Sequence, residues 1–131
     1  METEVLAAAK RLCDAFAQGR IDDYFACFAP RATFIFHSLR GRIDSLADYR
    51  KYWAEWERDL GLKVLGCDSF NRTVQMFGDT AVYTHSVTVR IRTLDAGDQT
   101  RHERETIVFA RSANAGWEAV HEHLSKDPAA A

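Results

Sequence analysis

TAVYTHSVTVRIRTLDAGDQTRHERETIVFARSANAGWEAVHEHLS, residues 80–125, holds no helical period. It breaks at Asp95-Ala96-Gly97-Asp98 and at Asn114-Ala115-Gly116, and between the breaks β-branched and aromatic residues alternate with polar ones. The stretch predicts three strands, Thr80 to Leu94, Thr100 to Arg111 and Trp117 to Ser125, joined by tight turns. A fourth, Leu62 to Phe77, precedes them across Gly78-Asp79, so the second half of the chain reads as an antiparallel meander.

Upstream the period changes. Val5, Leu6, Ala8, Ala9, Leu12, Cys13 and Phe16 recur at helical spacing, with Thr3 as the expected N-cap and Gly19 as the stop. Asp22 to Phe28 predicts a two-turn helix that ends before Pro30, and Arg31 to Leu39 a buried strand. Ser45-Leu46-Ala47-Asp48 opens a third helix in the manner of a capping box, and Leu46, Tyr49, Trp53, Trp56 and Leu60 mark its buried side up to Gly61. Helices first and hairpin-linked strands afterwards is the α+β order, with three helices packed on one face of a curved sheet. The 131 residues form a single domain, 1–131, with a disordered tail expected over 127–131.

Composition narrows the partners. The 17 basic and 19 acidic residues are mixed along the chain to a net charge of -2, which gives no field for a phosphate backbone and argues against nucleic acid. The start is acidic and its apolar run short, so neither a secretory leader nor a membrane span is expected. Cys13, Cys27 and Cys67 are odd in number, lack CxxC spacing and lie in apolar surroundings; no disulfide is expected, and a cytoplasmic location follows.

Alternation along the strands assigns faces. From Thr80 the odd positions Ala81, Tyr83, His85, Val87, Val89 and Ile91 are the covered side. In the last strand the same rule groups Trp117, Ala119, His121, His123 and Ser125, with both histidines inward. Between Thr100 and Arg111 alternation does not decide, because each face mixes polar and apolar residues. With Arg104 and Thr106 inward, the interior would join a cation, a hydroxyl, two imidazoles and Tyr83 inside an aromatic shell, which is the composition of a ligand site.

GRIDDYFACFAPRATF, GRIDSLADYRKYW and above all RETIVFARSANAGWEAVHEHLSKDP resemble the SnoaL-like branch of the nuclear transport factor 2-like superfamily, a cystatin-like cone. The last segment is also similar to the association domain of calcium/calmodulin-dependent protein kinase II. The resemblance implies a bent sheet wrapped around the first helix, a pocket at the open end, and a homodimer through the outer face of the sheet. It also implies a range of functions, from ketosteroid isomerase-like enzymes, cyclases and dehydratases to cargo-binding proteins and assembly hubs. Where the isomerases keep a catalytic aspartate this chain has Phe36. Where related metal-free carbonic anhydrases run His-His-His-Ser-Ser it has His121-Glu122-His123-Leu124-Ser125.

The expectation is a pocket for a small, partly apolar organic molecule, with cofactor-free proton transfer of the isomerase, cyclase or lyase type. The alternative is a non-catalytic binding or assembly module. In the first scheme His123 and His121 move the proton, because an imidazole titrates near neutrality. Arg104 and Thr106 hold the substrate's oxygen or carboxylate, Tyr83, His85 and His37 position it, and Phe34, Phe36, Trp53 and Trp117 exclude water. An H-x-H pair with His85 is also a conceivable ligand set, but no metal-binding spacing motif accompanies it and no metal is assigned.

Overall fold

The computed structural model describes residues 1–128. Three helices, α1 (Glu2–Ala17), α2 (Ile21–Ala26) and α3 (Leu46–Leu60), accompany five strands: β1 (Phe28–Phe36), β2 (Lys63–Phe77), β3 (Thr80–Thr93), β4 (Gly97–Ser112) and β5 (Gly116–Lys126). The strands form one curved sheet in the order β1-β5-β4-β3-β2. The meander is as read, but the sheet is not wholly antiparallel, since β1 returns to pair parallel with β5 at the far edge.

The first and third helices bury most of the stripe their spacing predicts, with Leu6 and Leu60 left exposed at its margins. Val5, Ala8, Ala9, Leu12 and Ala15 of α1, Tyr24 and Phe25 of α2, and Leu46, Tyr49 and Trp53 of α3 enter a core that the sheet meets with Phe34, Phe36, Ala81, Tyr83, Ile107, Phe109, Trp117 and Ala119. Their apolar area, removed from water, is the main force closing the cone. Ser45 caps α3 by accepting from the Asp48 amide at 3.1 Å. At the start of α1 the cap position is Met1, without a side-chain bond, rather than Thr3.

Two boundaries move, for one reason. α2 ends at Ala26, and β1 begins at Phe28 instead of Arg31, so Pro30 lies inside a strand. β1 is an edge strand whose register against β5 shifts between Phe28 and Thr33, and an edge with an irregularity is where a residue without an amide proton is tolerated. Further register shifts at Val64/Gly66 and Phe70/Thr73 in β2, the second beside Asn71 at φ 54°, and at Val108/Phe109 between β4 and β5 bend the sheet. Asp127 is tied by its amide to the His102 carbonyl at 3.0 Å, whereas residues 129–131 of the expected tail lie outside the described residues.

Gly61 ends α3 at φ 60°, and the Leu94 amide donates to the Leu60 carbonyl at 2.8 Å, tying the helix end to β3. A Cβ at Gly61 would stand 2.7 Å from Leu94 Cγ. Gly61→Ala should therefore cost about 1–2 kcal/mol in chemical denaturation, from the left-handed backbone and the contact together. Leu94 is 84 % exposed, so adding Leu94→Ala should recover the steric part and leave the backbone part. If Gly61→Ala costs the same with Leu94 in place as with Leu94→Ala, the contact contributes nothing.

Candidate functional site

β4 and β5 decide what the cavity contains. Val108 pairs with His121 and Phe109 with Ala119, so β5 carries one extra residue, Val120, at this point. Up to the bulge Trp117 and Ala119 face inward; beyond it the parity is reversed, and Glu122 and Leu124 face inward. On β4 the inward set is Glu103, Glu105, Ile107 and Phe109. Three carboxyl groups thus enter the cone from the sheet.

They reach a cavity of about 280 Å³. Its opposite wall is aromatic, with Tyr24 from α2, Tyr49, Trp53 and Trp56 from α3, and Phe16 from α1; Leu60, Leu62, Val87, Val89 and Ile91 complete the apolar lining. Phe36 and His37, at the end of β1, stand at the same opening with Arg101 and Glu103.

The polar groups form a chain of hydrogen bonds. The hydroxyls of Tyr49 and Tyr24 are 3.0 Å apart, and Tyr24 donates to Glu122 Oε2 at 3.2 Å. Glu122 is hydrogen-bonded to Glu105, whose Oε1 lies 2.6 Å from His85 Nε2. On the far side of that ring, Nδ1 is 2.6 Å from Ser69 Oγ and 3.2 Å from the Tyr83 hydroxyl. Separately, His37 Nε2 meets Glu103 Oε2 at 2.5 Å.

Burial fixes the protons. Desolvation drives the Glu122 carboxyl well above the ordinary range, and the neighbouring Glu105 adds to it. Glu105 is itself pushed up to about 7 by burial, although the bond from Glu122 holds it lower. Glu122 therefore keeps its proton and donates to Glu105, and Glu105 gains or loses its own near neutrality. His85 is lowered to about 4, first by burial and then by Arg72, so its ring is neutral. With Glu105 ionised, Nε2–H donates to it and Nδ1 accepts from Ser69; with Glu105 protonated, both bonds reverse. The Tyr24 and Tyr49 hydroxyls are raised by burial, then by Glu122, and stay protonated.

The expected site residues divide. Phe36, His37 and Trp53 line the cavity, and His85 stands behind it, reaching it through Glu105. Phe34, Tyr83 and Trp117 are buried in the core beside it, Tyr83 edge-on to Phe109. The inward facing expected for His121 and His123 is corrected, and Arg104 and Thr106, whose face alternation left open, are on the outer side with them. His123, Arg104 and Thr106 line an open groove on the outer face of the sheet with Thr84, Ser86 and Ser125. His121 bonds Thr33 Oγ1 through Nδ1 at 2.8 Å. The Val120 bulge is the cause on β5; on β4 the large apolar pair Ile107 and Phe109 takes the inner side and carries Glu103 and Glu105 with it. That pair was the available signal for the missed glutamates.

His85 and Glu105 also border that groove, in the same lining as His123. A different group, Cys13, His85 and Glu105, brings its donor atoms within 4.8 Å of one another. Glu105 and His85 are already bonded to each other, and burial holds the Cys13 thiol protonated, so the set suits a proton network better than a metal.

Carboxyl groups whose folded pKa lies above the unfolded value stabilise the fold at low pH and withdraw that stability as pH rises through the folded pKa. With Glu105 at about 7 and Glu122 higher, the loss falls between about pH 5 and 8 and continues above it. The double variant Glu105→Gln/Glu122→Gln keeps the shape without the ionisation, so its Tm relative to wild type should climb from pH 5 to pH 8. A pH-independent difference would show that the pair is not held protonated by the fold.

Comparison with known proteins agrees with this architecture. No curated protein matches the sequence. Among solved structures, the S. rosetta CaMKII hub superposes with a TM-score of 0.76 at 28% identity, covering 96% of each chain. A ketosteroid isomerase-like protein from Erwinia carotovora atroseptica gives 0.78 at 16% identity over 95% of each chain. An NTF2-like protein of unknown function in nutrient uptake from Rhodospirillum rubrum gives 0.77 at 21%, covering 94% of this chain and 98% of the other. A family model described as the SnoaL-like domain matches residues 5–130, and this chain belongs to that family.

Proposed function

We propose that the cavity receives a small, partly apolar organic molecule and moves a proton on it without a cofactor, as isomerases, cyclases and dehydratases do. The observation that carries this reading is the Glu105–Glu122 pair, two carboxyl groups in one apolar cavity whose surroundings set their protons at different pH. A base whose pKa lies near the working pH combines the right protonation state with driving force. Glu105 fills that description, with His85 and Ser69 behind it to take up or return the proton.

In this scheme a carbonyl oxygen sits against Glu122 and the Tyr24–Tyr49 hydroxyls, which desolvation keeps protonated, and Glu122 turns its proton from Glu105 to that oxygen, which frees Glu105 to act as the base. Glu105 takes a proton from the adjacent carbon, the electron pair shifts to the oxygen, and the proton is returned at the same or a conjugated carbon. Phe36, Trp53 and Trp56 exclude water, and His37 with Glu103 stands at the opening. The proton-transfer role read for His121 and His123 passes to these carboxyls. The three cysteines are free thiols, which suits a reducing compartment such as the cytoplasm.

A second reading has its own support. The S. rosetta CaMKII hub, 28% identical over nearly the whole chain, is a hub by its title, and the outer groove with Arg104, Thr106 and His123 offers a polar face on which a second copy would form a homodimer. His85 and Glu105 border that groove as well, so docking there and proton transfer in the cavity would share a wall.

Proton transfer is tested with 2-indanone in D2O, following loss of its α-proton NMR signals. The wild-type protein should accelerate exchange, Glu105→Gln should lower the catalysed rate by about 10²-fold or more, and His123→Ala should leave it unchanged. Loss on His123→Ala with full activity in Glu105→Gln would overturn the assignment. Light scattering at several concentrations reads the homodimer: a monomer at all of them removes the second reading.

A further inference from the structure

The charge of the cavity says what class of molecule it accepts. Glu103, Glu105 and Glu122 line it, and the basic groups at its boundary are Arg101, exposed at the rim, and His37, already bonded to Glu103. His85 lies behind Glu105 and is held neutral by burial. Among the described residues, no lysine joins the lining. An anionic ligand would therefore face the Glu103, Glu105 and Glu122 carboxyls, with Arg101, exposed at the boundary, as the one lining arginine to receive it.

A cation meets the reverse. An ammonium group near Glu105 and Glu122 finds charge-assisted acceptors, and a body of one or two rings finds Tyr49, Trp53 and Trp56, aromatic faces suited to hydrocarbon and to cation–π contact. A second observation also points to an occupant. Trp53 is only 6 % exposed and lines the cavity, yet its indole Nε1–H has no hydrogen-bond partner among the described residues. Buried indole donors usually find an acceptor, and a ligand oxygen or nitrogen would supply one.

We propose that the natural ligand of this cavity is a small monocationic amine with an aromatic or alicyclic body and a hydrogen-bond acceptor. This names the ligand class of the proposed site and rests on that site being a binding cavity. Because Glu122 and Glu105 hold a proton between them in the empty cavity, an entering ammonium favours the ionised pair, and that proton is released to solvent as the ammonium binds. Of the other titratable groups facing the pair, Glu103 and His37 are bonded to each other, His85 is bonded to Glu105, Tyr24 is bonded to Tyr49 and to Glu122, and burial keeps the Cys13 and Cys67 thiols protonated.

The test uses three probes on one skeleton: 2-aminoindan as the cation, 2-indanone as the neutral ketone and indane-2-carboxylate as the anion. Binding to the full chain is measured by titration calorimetry at pH 6.5 in two buffers of different ionisation enthalpy. The amine should bind at least tenfold tighter than the ketone, the carboxylate should not bind, and the buffer dependence should report net proton release with the amine alone. Glu122→Gln should weaken the amine at least tenfold more than it weakens the ketone and reduce the proton release, an outcome that merely structural damage would not give. Ketone binding equal to or tighter than the amine, or any binding of the carboxylate at comparable strength, overturns the amine assignment. Glu105-dependent exchange of 2-indanone would then leave the proton-transfer reading standing. Amine preference without Glu105-dependent exchange would separate the two in the opposite sense.

Discussion

Where β4 carries Val108 and Phe109, β5 carries Ala119, Val120 and His121, and the surplus residue has to go somewhere. In a regular ladder a side-chain period of two would send the face of Trp117 and Ala119 on to His121 and His123. The bulge absorbs one residue, and the parity reverses. Glu122 then enters the cone beside Glu105, while both histidines are turned to the outer face. The chain of hydrogen bonds from the Tyr49–Tyr24 pair to Ser69 runs through the carboxyl group that this one residue admits.

Admitting it is costly. A buried carboxyl without a cationic partner is unfavourable in ionised form, and the surroundings answer by keeping it protonated and hydrogen-bonded. Tyr24 donates to one oxygen of Glu122, Glu105 accepts from the protonated carboxyl, and His85 with Ser69 closes the chain. Buried polar networks repay their desolvation only when nearly every group is satisfied, and this one is satisfied through elements far apart in sequence: α2, α3, β2, β3, β4 and β5. A network spread across six elements also fixes how they sit against one another. Satisfaction is incomplete at Trp53 Nε1, on the aromatic wall across the cavity.

The fold was legible because it depends on period and punctuation. The stripe from Val5 to Ala15, the cap at Ser45, the αL glycine at Gly61 and the turns at Gly78, Gly97 and Gly116 are local signals, and the helices and meander followed from them. The site was less so, because a bulge has no local signature in Ala119-Val120-His121: nothing in those side chains says that one of them is surplus until β4 is laid alongside. Imidazoles also attract attention as groups that titrate near neutrality, whereas a glutamate does so only when the fold desolvates it, a property of the finished structure. Phe36 pointed away from isomerase chemistry because no carboxyl stands at that position. The register shows how one arrives from elsewhere, since Glu122 pairs with Phe34 across the β1–β5 ladder and enters from the neighbouring strand.

The two faces of the sheet therefore answer different demands. The inner face has exchanged stability for a titratable pair in a dry cavity, an arrangement that a purely structural core would replace with leucine or phenylalanine at a gain. The outer face keeps Thr84, Ser86, Arg104, Thr106 and His123 as a polar groove open to solvent. A module required only for assembly has use for the second face and none for the first. The solved relatives at comparable TM-score, a kinase hub and an isomerase-like protein among them, show that the scaffold itself does not choose between these uses. In this chain the inner face carries the desolvated Glu105–Glu122 pair, and its standing cost to stability is accounted for most directly by an occupant that draws on it.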